Sequence, residues 1–544
     1  MIFDPRTHGI NTEVVFDVCI IGAGAAGITT ALELSKDTKL NLAILEAGGQ
    51  HYEHRTQSLF QGEVDSDRHP PLWRSRFSGL GGSTQIWAGW CRPLNPHDFE
   101  QRDYIADSGW PISIDELQSA YQRANEICGL GPYSYDFGAW QGLLRGAPLL
   151  ENSELIHHIC QIRKLRFNHH HYKNLQVAKN IALYLYSPLI RLHPGKDERS
   201  VSHAEIASYK GKTTLLKAKH FVLATGGIEN ARLLLLSGSS PERAIGNKND
   251  CVGRYFIDHG YIDSGWFVPN SNKQNLRYYF PVPHPHSPQH ASARPVITLA
   301  PNVLQKEKLL NGAMFFYPSY ESHPAFMSDA VKAALELWEI VKGKTVLELW
   351  EMFKGQAASD DLWDFCKRMS SRPHYIMQAL LRKALVRGSS CGRWRLRFYY
   401  ECIPSAENRV VLCDQKDCFN RAQARLISHL ADQDLDSAYR FHSYLNNIFQ
   451  KTGTGQLIFF DEIFDWRSNT EKAHHPSGTT RMHDDPTRGV VDKNCQVHGL
   501  DNLFVAGSSV FPTVGYANPT LTIVALAVRL AKHLKQQLSK PGGV

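Results

Sequence analysis

The chain has 544 residues, a formal net charge of +7, 21% charged residues and 42% hydrophobic residues. This composition excludes a mainly disordered chain, and the length predicts either two domains or one domain with a large insertion. The sequence has no long Lys/Arg run, so we do not expect nucleic acid as a partner. No uncharged apolar stretch reaches about 18 residues, and the first residues of the chain are polar. We therefore expect a cytoplasmic protein without a signal peptide.

Cysteine and histidine spacing predicts no metal centre. The eleven cysteines include no C-x-x-C pair, so we interpret them as reduced and mostly structural thiols. Cys413 and Cys418 lie close together in CDQKDC, which favours a hairpin over a metal site. The run His169 to His171 lacks a spaced carboxylate or cysteine, so a solvated loop is the interpretation that we prefer.

The first strong elements form a βαβ unit. The segment FDVCIIGAGAAGITTALELSK predicts a buried strand from Val18 to Ile21, a glycine-rich turn and a helix that begins near Ala25. The following run, LNLAILEAGG, predicts a second strand that ends at Glu46. This arrangement is typical of the start of a nucleotide-binding domain.

The turn carries the residues that a dinucleotide requires. Gly22 permits the tight turn, Gly24 lets the main chain approach a pyrophosphate, and Gly27 lets the helix pack on the strand. Glu46 stands where a carboxylate accepts hydrogen bonds from ribose hydroxyls, which argues against a 2'-phosphate and therefore against NADP. These residues by themselves do not distinguish FAD from NAD.

Later segments return to the same pattern. The block GLGGSTQIWAGWCRPLNPHDFE reads as a loop close to a ligand, and strands are predicted from about Ala182 to Ala224. A helix is expected after Gly227, with Glu229 and Asn230 as turn and cap residues. The segment NLFVAGSSVFPTVGYANPTLTIVALAVRLAKHL predicts a final strand, loop and helix. In that helix, Asn518 is the expected cap and Pro519 the first helical residue.

The middle of the chain differs from both ends. It contains aromatic-rich strands, the stretch PVPHPHSPQH and a predicted helical region from about Phe326 to Leu385, in which LELWE occurs twice. These helices suit core or lid packing, and a dimer interface or contact with a membrane surface are alternatives. We therefore predict an α/β fold with a discontinuous nucleotide-binding domain, residues 1–260 and 473–544, and an inserted α+β substrate domain, residues 261–472.

Four motifs make the chain resemble the glucose-methanol-choline (GMC) oxidoreductases. GLGGSTQIWAGWCRPL resembles their flavin loop, VLATGGIENARLLL their second nucleotide motif, and HHPSGTTRMHDDP with HGLDNLFVAGSSVFPTVGYANPTLT their carboxy-terminal signature. GYANPTLT, with Asn rather than His, is similar to the branch of pyranose 2-oxidase, fructose dehydrogenase and gluconate 2-dehydrogenase. The resemblance implies a Rossmann-like FAD-binding domain of the GMC type.

The same resemblance implies which residues meet the substrate. His475 matches the family's histidine and Asn518 its partner position, both facing the flavin N5 and the substrate hydroxyl. A histidine with a pKa near ~6.5 suits removal of the hydroxyl proton, and the Asn518 amide would orient the same oxygen. His474 is the alternative base if the register differs by one residue. His483 and His498 are expected to be surface or loop residues.

The resemblance also implies the cofactor contacts. Some relatives attach FAD covalently through a histidine of the flavin loop, but the matching position here is Ile86, so we expect non-covalent FAD. The helix after Asn518 would favour the negative charge of the reduced flavin through its dipole. The expected FAD-binding residues are Gly22, Gly24, Gly27, Glu46, Gly82, Ser83, Ala224, Gly507, Asn518, Pro519 and Thr520.

The resulting prediction is an FAD-dependent dehydrogenase or oxidase that acts on a sugar, polyol or glycoside. Two alternatives stay open: the same chemistry on a sterol or long-chain alcohol, and a flavin-bearing electron-relay subunit without catalysis. An NAD-linked dehydrogenase is disfavoured by the carboxy-terminal signature. The sequence leaves open the substrate hydroxyl, the oligomeric state and the electron acceptor, whether oxygen, a quinone or a redox protein. Contact with a membrane is not expected.

Overall fold

The computed structural model describes residues 1–6, 14–67, 69–140, 152–270, 276–283, 291–318, 393–460 and 470–539, with isolated residues between 142 and 150 and between 334 and 374. Most of the predicted helical region from about Phe326 to Leu385, with both LELWE strings, and most of the Pro/His-rich stretch lie outside the described residues.

The described strands, in chain order, are β1 Ile2–Phe3, β2 Val15–Ile21, β3 Leu42–Leu45, β4 Gly62–Ser66, β5 Trp90–Cys91, β6 Leu155–Ile162, β7 Ile181–Tyr184, β8 Leu189–Pro194, β9 Val201–Ala207, β10 Thr213–Leu223, β11 Gly260–Pro269, β12 Val282–Pro283, β13 Ser292–Leu299, β14 Gly312–Pro318, β15 Trp394–Tyr400, β16 Arg409–Lys416, β17 Ala422–Ser428, β18 Gly455–Phe459, β19 Glu471–Lys472 and β20 Leu503–Val505.

The described helices are α1 Ala25–Ser35, α2 His54–Gln57, α3 Pro96–Phe99, α4 Ile114–Ile127, α5 Phe137–Trp140, α6 Phe167–His170, α7 Tyr172–Val177, α8 Glu229–Leu235, α9 Pro301–Lys306, α10 Asp432–Lys451 and α11 Thr520–Leu538.

The first sheet is parallel in its main part and has an antiparallel extension. Its strands run in the order β1-β7-β3-β2-β10-β9-β8, and β20 pairs with β10. The pairs among β1, β7, β3, β2, β10 and β20 are parallel, whereas β10, β9 and β8 are antiparallel. Because the second half of β2 and all of β3 are buried on both faces, their residues form continuous apolar runs, VCII and LAIL. The predicted βαβ unit is confirmed.

Strand register brings three motifs to one edge of this sheet. Leu223, at the end of β10, pairs with Ile21 at the end of β2 and with Val505 at the end of β20. The segments that follow these three residues therefore leave the sheet side by side, although they are far apart in the chain. Ligands of open parallel sheets bind at this carboxyl edge.

The second sheet has the order β18-β11-β15-β14-β13-β6-β5, with β12 on β13 and β19 on β11. A third sheet, β16-β17-β4, contains the β16–β17 hairpin, and Cys413 and Cys418 lie in this hairpin and its turn, as predicted. Strands β5 and β6 belong to the second sheet although they precede residue 260. The proposed division at 260 and 473 remains a prediction.

Long helices cover the sheets through one apolar face. α10 buries Ala438, Phe441, Leu445 and Ile448, a spacing of three to four residues that places them on one side. α4 begins with a capping box, in which Ser113 and Glu116 each bond the other's main-chain N–H. α11 packs between α1 and α4. None of the helices described is long and apolar enough to cross a bilayer.

Candidate functional site

The glycine-rich turn after β2 has the geometry that its sequence predicts. Gly22 has a φ of +104°, and a Cβ there would lie 2.5 Å from the carbonyl oxygen of Ala224. A Cβ on Gly27 would lie 1.9 Å from the carbonyl oxygen of Gly22, so only glycine lets α1 pack this closely on the strand. Gly24 lies at the start of α1 and contacts Gly82 of the flavin loop. The main chain is therefore open to a ligand at this turn.

Glu46 is a buried carboxylate directly after β3. Its two oxygens accept hydrogen bonds from the main-chain N–H groups of Ala23, at 2.8 Å, and Gly48, at 2.9 Å. Burial raises the pKa of Glu46, while these N–H donors act in the opposite direction. The side chain is thus fixed beside the glycine turn. Its remaining lone pairs can accept hydrogen bonds from ribose hydroxyls there.

A cavity of about 660 Å³ unites the four motifs. Gly27 packs behind it, as described above. The other predicted cofactor residues line it: Gly22, Gly24, Glu46, Gly82, Ser83, Ala224, Gly507, Asn518, Pro519 and Thr520. A turn that admits only glycine, a carboxylate at a strand end and two helix N-termini are the features that hold a dinucleotide. The residues present therefore fit FAD.

His475 and Asn518 meet in the wall of this cavity. The carboxamide nitrogen of Asn518 lies 3.3 Å from Nε2 of His475. The prediction that Asn518 caps the final helix with Pro519 as its first residue was wrong by one position. α11 begins at Thr520, and the Asn518 carboxamide is directed at the imidazole instead of the helix N–H groups.

The other atoms of His475 are also held. Its Nδ1 lies 2.7 Å from Nε2 of His259, and its main-chain N–H donates to Oδ1 of Asp258 at 3.0 Å. Burial lowers the pKa of His475 well below its ordinary 6.5, with smaller contributions from His259 and His474. A neutral imidazole with a free Nε2 lone pair can act as a base.

The other histidines of this region occupy different environments. His474 has a φ of +62° and an exposed side chain at the cavity, so the chain turns sharply between it and His475. His483 and His498 are half-buried loop residues, in agreement with the prediction, and Nε2 of His498 lies 2.9 Å from the His483 carbonyl oxygen. The expected solvated loop at 169–171 was wrong for His171, which is buried against the carbonyl oxygen of Ile127 after a helical turn.

Glu229 and Asn230, which follow Gly227, have different roles. Asn230 lies in the first turn of α8 and not in the turn itself, but its carboxamide holds the preceding turn: it accepts from Thr225 N–H at 2.8 Å and donates to the Ala506 carbonyl oxygen at 3.1 Å. Glu229 was expected to be a similar turn or cap residue, but it belongs to a buried ion cluster. Its carboxylate contacts Arg76 at 2.9 Å and Arg232 at 3.1 Å.

That ion cluster was missed by the sequence prediction. Arg232 also contacts Asp417 at 2.7 Å, and Asp417 contacts Arg421 at 2.7 Å. Arg76, Glu229, Arg232 and Arg421 all line the cavity. The partners are up to 185 residues apart in the chain, so no local spacing could have indicated their contact.

An aromatic wall also lines the cavity, and the sequence predicted it only as aromatic-rich strands. Trp90, Tyr261, Phe315 and Tyr399 line this side and come from β5, β11, β14 and β15 of the second sheet. The ring centroids of Tyr261 and Tyr399 are 5.3 Å apart, and those of Phe315 and Tyr399 are 5.0 Å apart. The second sheet thereby supplies an apolar surface with two phenol groups to the cavity that also contains the candidate base.

Comparisons with known proteins show similarity to flavin-dependent oxidoreductases. A model of the FAD dependent oxidoreductases matches residues 17–236, and a model of the GMC oxidoreductases matches residues 404–527. Paromamine 6'-oxidase of Streptomyces fradiae is 23% identical over 96% of this chain and 92% of that protein. C-glycoside 3-oxidase of Arthrobacter globiformis is 47% identical over 66 residues, 12% of this chain and 13% of that protein.

Solved structures show the same fold. A fungal aryl-alcohol oxidase superposes with a TM-score of 0.56 at 14% identity, covering 97% of this chain and 100% of that one. The fold and the matched models define the class of protein: the chain is an FAD-dependent oxidoreductase. The carboxy-terminal match and the relatives support the resemblance to the GMC oxidoreductases that its four motifs predicted. The branch near pyranose 2-oxidase stays a prediction.

Proposed function

We propose that this enzyme oxidises a CH–OH group of a sugar, polyol or glycoside, with His475 as the general base and Asn518 as its partner. One observation carries the proposal: Nε2 of His475 and the carboxamide of Asn518 lie 3.3 Å apart in the wall of the cavity that fits FAD. Bound FAD supplies the hydride acceptor at N5 of its isoalloxazine ring. An alcohol placed against these two side chains would present its hydroxyl to both.

The chemistry asked of the two side chains is simple. The hydroxyl proton moves to Nε2 of His475 while the carbon loses its hydride, so that the C–O bond becomes a carbonyl and two electrons leave the substrate. The lowered pKa of His475 keeps its imidazole neutral and ready to accept that proton. The Asn518 N–H donates to the same oxygen and stabilises its developing negative charge.

Two further features support the cofactor part of the proposal. α11 starts at Thr520 in the cavity wall, so the positive end of its dipole favours negative charge on the reduced flavin. Ile86 lines the cavity, and it stands where the family resemblance implies the histidine of covalently bound members. An alkyl side chain cannot form that bond, so we infer non-covalent FAD.

The substrate class rests on the aromatic wall and on the relatives. Tyr261, Phe315 and Tyr399 offer apolar faces on which the C–H side of a sugar ring can stack, and the two phenols can bond its hydroxyls. Two of the relatives are named paromamine 6'-oxidase and C-glycoside 3-oxidase. A sterol or long-chain alcohol would be oxidised with the same base. An experiment therefore has to distinguish that substrate class from a sugar.

The first test measures anaerobic flavin bleaching in stopped flow with D-glucose, D-xylose, sorbitol, 1-decanol and cholesterol. We expect sugars or the polyol to bleach the flavin faster than the two lipophilic alcohols. His475→Ala should remain yellow and folded, with flavin reduction at least ~100-fold slower. His474→Ala is the matched neighbour and should reduce at nearly the wild-type rate.

Each outcome separates one alternative. Undiminished reduction in His475→Ala would remove this residue from the base role, and a large loss only in His474→Ala would transfer that role to His474. Fast bleaching by cholesterol or 1-decanol alone would favour the lipophilic substrate. A yellow protein that no alcohol bleaches would favour the electron-relay subunit. Acid precipitation should release free FAD, and retention of the colour in the pellet would contradict non-covalent binding.

A further inference from the structure

A second buried histidine lies directly behind the candidate base. Nε2 of His259 is 2.7 Å from Nδ1 of His475, and Nδ1 of His259 is 3.4 Å from the carbonyl oxygen of Gly515. The planes of the two rings are inclined at 78°, and their centroids are 4.8 Å apart. The result is a line of groups from a main-chain carbonyl, through two imidazoles, to the substrate side of the cavity.

The carbonyl fixes the direction of every proton along this line. A carbonyl oxygen only accepts, so His259 must carry its proton on Nδ1 to bond Gly515. A neutral His259 then has a lone pair on Nε2, which accepts the proton on Nδ1 of His475. Nε2 of His475 is consequently left without a proton, and its lone pair faces Asn518 and the cavity.

The opposite tautomer of His475 is unfavourable for the same reason. If its Nε2 carried the proton, its Nδ1 would need to accept from Nε2 of His259. Nδ1 of His259 would then present a lone pair to the lone pairs of the Gly515 oxygen, and two buried acceptors would face each other. That tautomer would also be unable to take a proton from an alcohol through Nε2.

The Gly515 carbonyl is itself held by the motif that carries Asn518. Gly515 has a φ of +54°, and a Cβ there would lie 2.5 Å from Oδ2 of the buried Asp98. Only glycine combines this left-handed conformation with that close approach. The GYANPT segment therefore contributes to both ends of the line. Asn518 supplies the carboxamide at the substrate side, and Gly515 supplies the carbonyl oxygen that determines which ring nitrogens carry protons.

We propose that His259 is a positioning residue that holds His475 in the tautomer with a free Nε2 and accepts its Nδ1 proton as the base becomes charged. This inference rests on the proposed function of His475. During oxidation the hydroxyl proton moves to Nε2 of His475, while the Nδ1 proton stays in the bond to His259 or passes onto its Nε2. The positive charge is thereby shared by two rings, and no further reactant is needed.

The surroundings keep His259 neutral before reaction. The side chain is 1% exposed, and burial lowers its pKa to about 4. Tyr399 contacts its ring edge on the side of the aromatic wall, with centroids 6.1 Å apart. The titratable groups that act on the pair are Lys472, Glu401, His474, Tyr399 and, through the main chain of His475, Asp258.

The test uses two replacements of His259 in the FAD-loaded enzyme. His259→Phe keeps the ring volume and removes the acceptor, whereas His259→Gln can place an oxygen near the position of Nε2. The reduction rate constant is measured with the most active alcohol of the stopped-flow panel. We expect it to fall about 10- to 100-fold in His259→Phe, with the substrate dissociation constant nearly unchanged, and to recover mostly in His259→Gln.

Two controls separate this role from general damage and from failure of the proposed function. His442 is also 1% exposed with a pKa of about 4, but it lies in α10, so His442→Phe reports the cost of losing a buried histidine. Because His259 acts through His475, the double variant His259→Phe/His475→Ala should be no slower than His475→Ala alone. Normal reduction in His475→Ala would refute the proposed function, whereas normal reduction in His259→Phe alone would refute only this inference.

A readout that needs no substrate completes the test. With ¹⁵N-labelled histidine, the hydrogen-bonded Nδ1 proton of His475 should give a downfield ¹⁵N-coupled proton signal. That signal should disappear in His259→Phe and in His475→Ala, and persist in His442→Phe. A signal that survives in His259→Phe, or equal slowing in the Phe and Gln variants, would overturn the positioning role.

Discussion

The main-chain N–H of His475 donates to Oδ1 of Asp258 at 3.0 Å, so a buried carboxylate supports the loop that carries the candidate base. Asp258 is 1% exposed, and its Oδ2 lies 4.0 Å from Nε2 of His69. Burial raises the pKa of Asp258 to about 6, against the smaller opposing effects of Lys472 and of the main-chain donors of the loop. Its neighbour along the chain is His259, so one short segment touches the base at two points.

Replacement of Asp258 should therefore disturb the base without touching the cavity. Asp258→Ala leaves the buried N–H of His475 without an acceptor, which costs about 1–3 kcal/mol and should slow flavin reduction. Asp258→Asn keeps a carbonyl oxygen at the same place and should retain most of the rate. Stopped-flow reduction and thermal melting of both variants check this, and equal rates in the Ala variant and the wild type would contradict it.

The contact between Gly27 and Gly22 predicts a strict requirement for glycine. In Gly27→Ala the new methyl would lie 1.9 Å from the Gly22 carbonyl oxygen, so α1 and the turn must separate. We expect a loss of about 1–3 kcal/mol of stability and weaker FAD retention. Gly138→Ala is the control, because a Cβ there meets no atom within 4 Å. Melting temperature and the ratio of flavin to protein absorbance measure both effects, and similar behaviour of the two variants would be evidence against this packing role.

The buried cluster around Glu229 predicts a large effect of a small change. Glu229→Gln removes the negative charge that neutralises Arg76, and a buried ion left without its partner costs about 3–5 kcal/mol. Because both side chains line the cavity, FAD affinity should fall as well. The exposed pair Arg199–Asp501, at 3.4 Å, is the comparison, and Asp501→Asn should cost less than about 1 kcal/mol. Equal melting temperatures for both variants would show that the cluster contributes little.

Buried histidines predict a loss of stability in mild acid. Burial lowers the pKa values of His69, His157, His171, His259 and His442 to about 4, against 6.5 for the free side chain. Between pH 4 and 6.5 the unfolded chain therefore binds more protons at these sites, and stability falls as the pH falls. Asp258 and Asp434, with pKa values raised to about 6 from 3.8, act in the opposite direction but are fewer.

The melting temperature of the FAD-loaded protein should consequently decrease as the pH is lowered through this window. His442→Phe removes one of the contributing groups, so its melting temperature should depend less steeply on pH. A melting temperature that stays constant or rises towards pH 4 would contradict the assignment of these histidines as neutral in the folded protein.

The sequence by itself determined the nucleotide-binding part of this protein. Its signals are local: an apolar strand, glycines at fixed spacing from Gly22 to Gly27, and Glu46 at the end of the next strand. Each of these residues is required by the conformation of its own segment, as the φ of Gly22 and the contact at Gly27 show. The turn, the first helix, and the glycines and Glu46 of this unit could therefore be predicted without knowledge of the rest of the chain.

Only the tertiary structure decided what surrounds the candidate base. His259 is 216 residues from His475, and Glu229 is 153 residues from Arg76. No spacing rule connects such positions, because they meet only in the folded chain, as His259 and His475 do beside the paired strands β11 and β19. The aromatic wall and the direction of the His475 tautomer likewise depend on contacts between distant segments. For the same reason, the Asn518 side chain, which local sequence assigned to a helix cap, is directed at an imidazole from another loop.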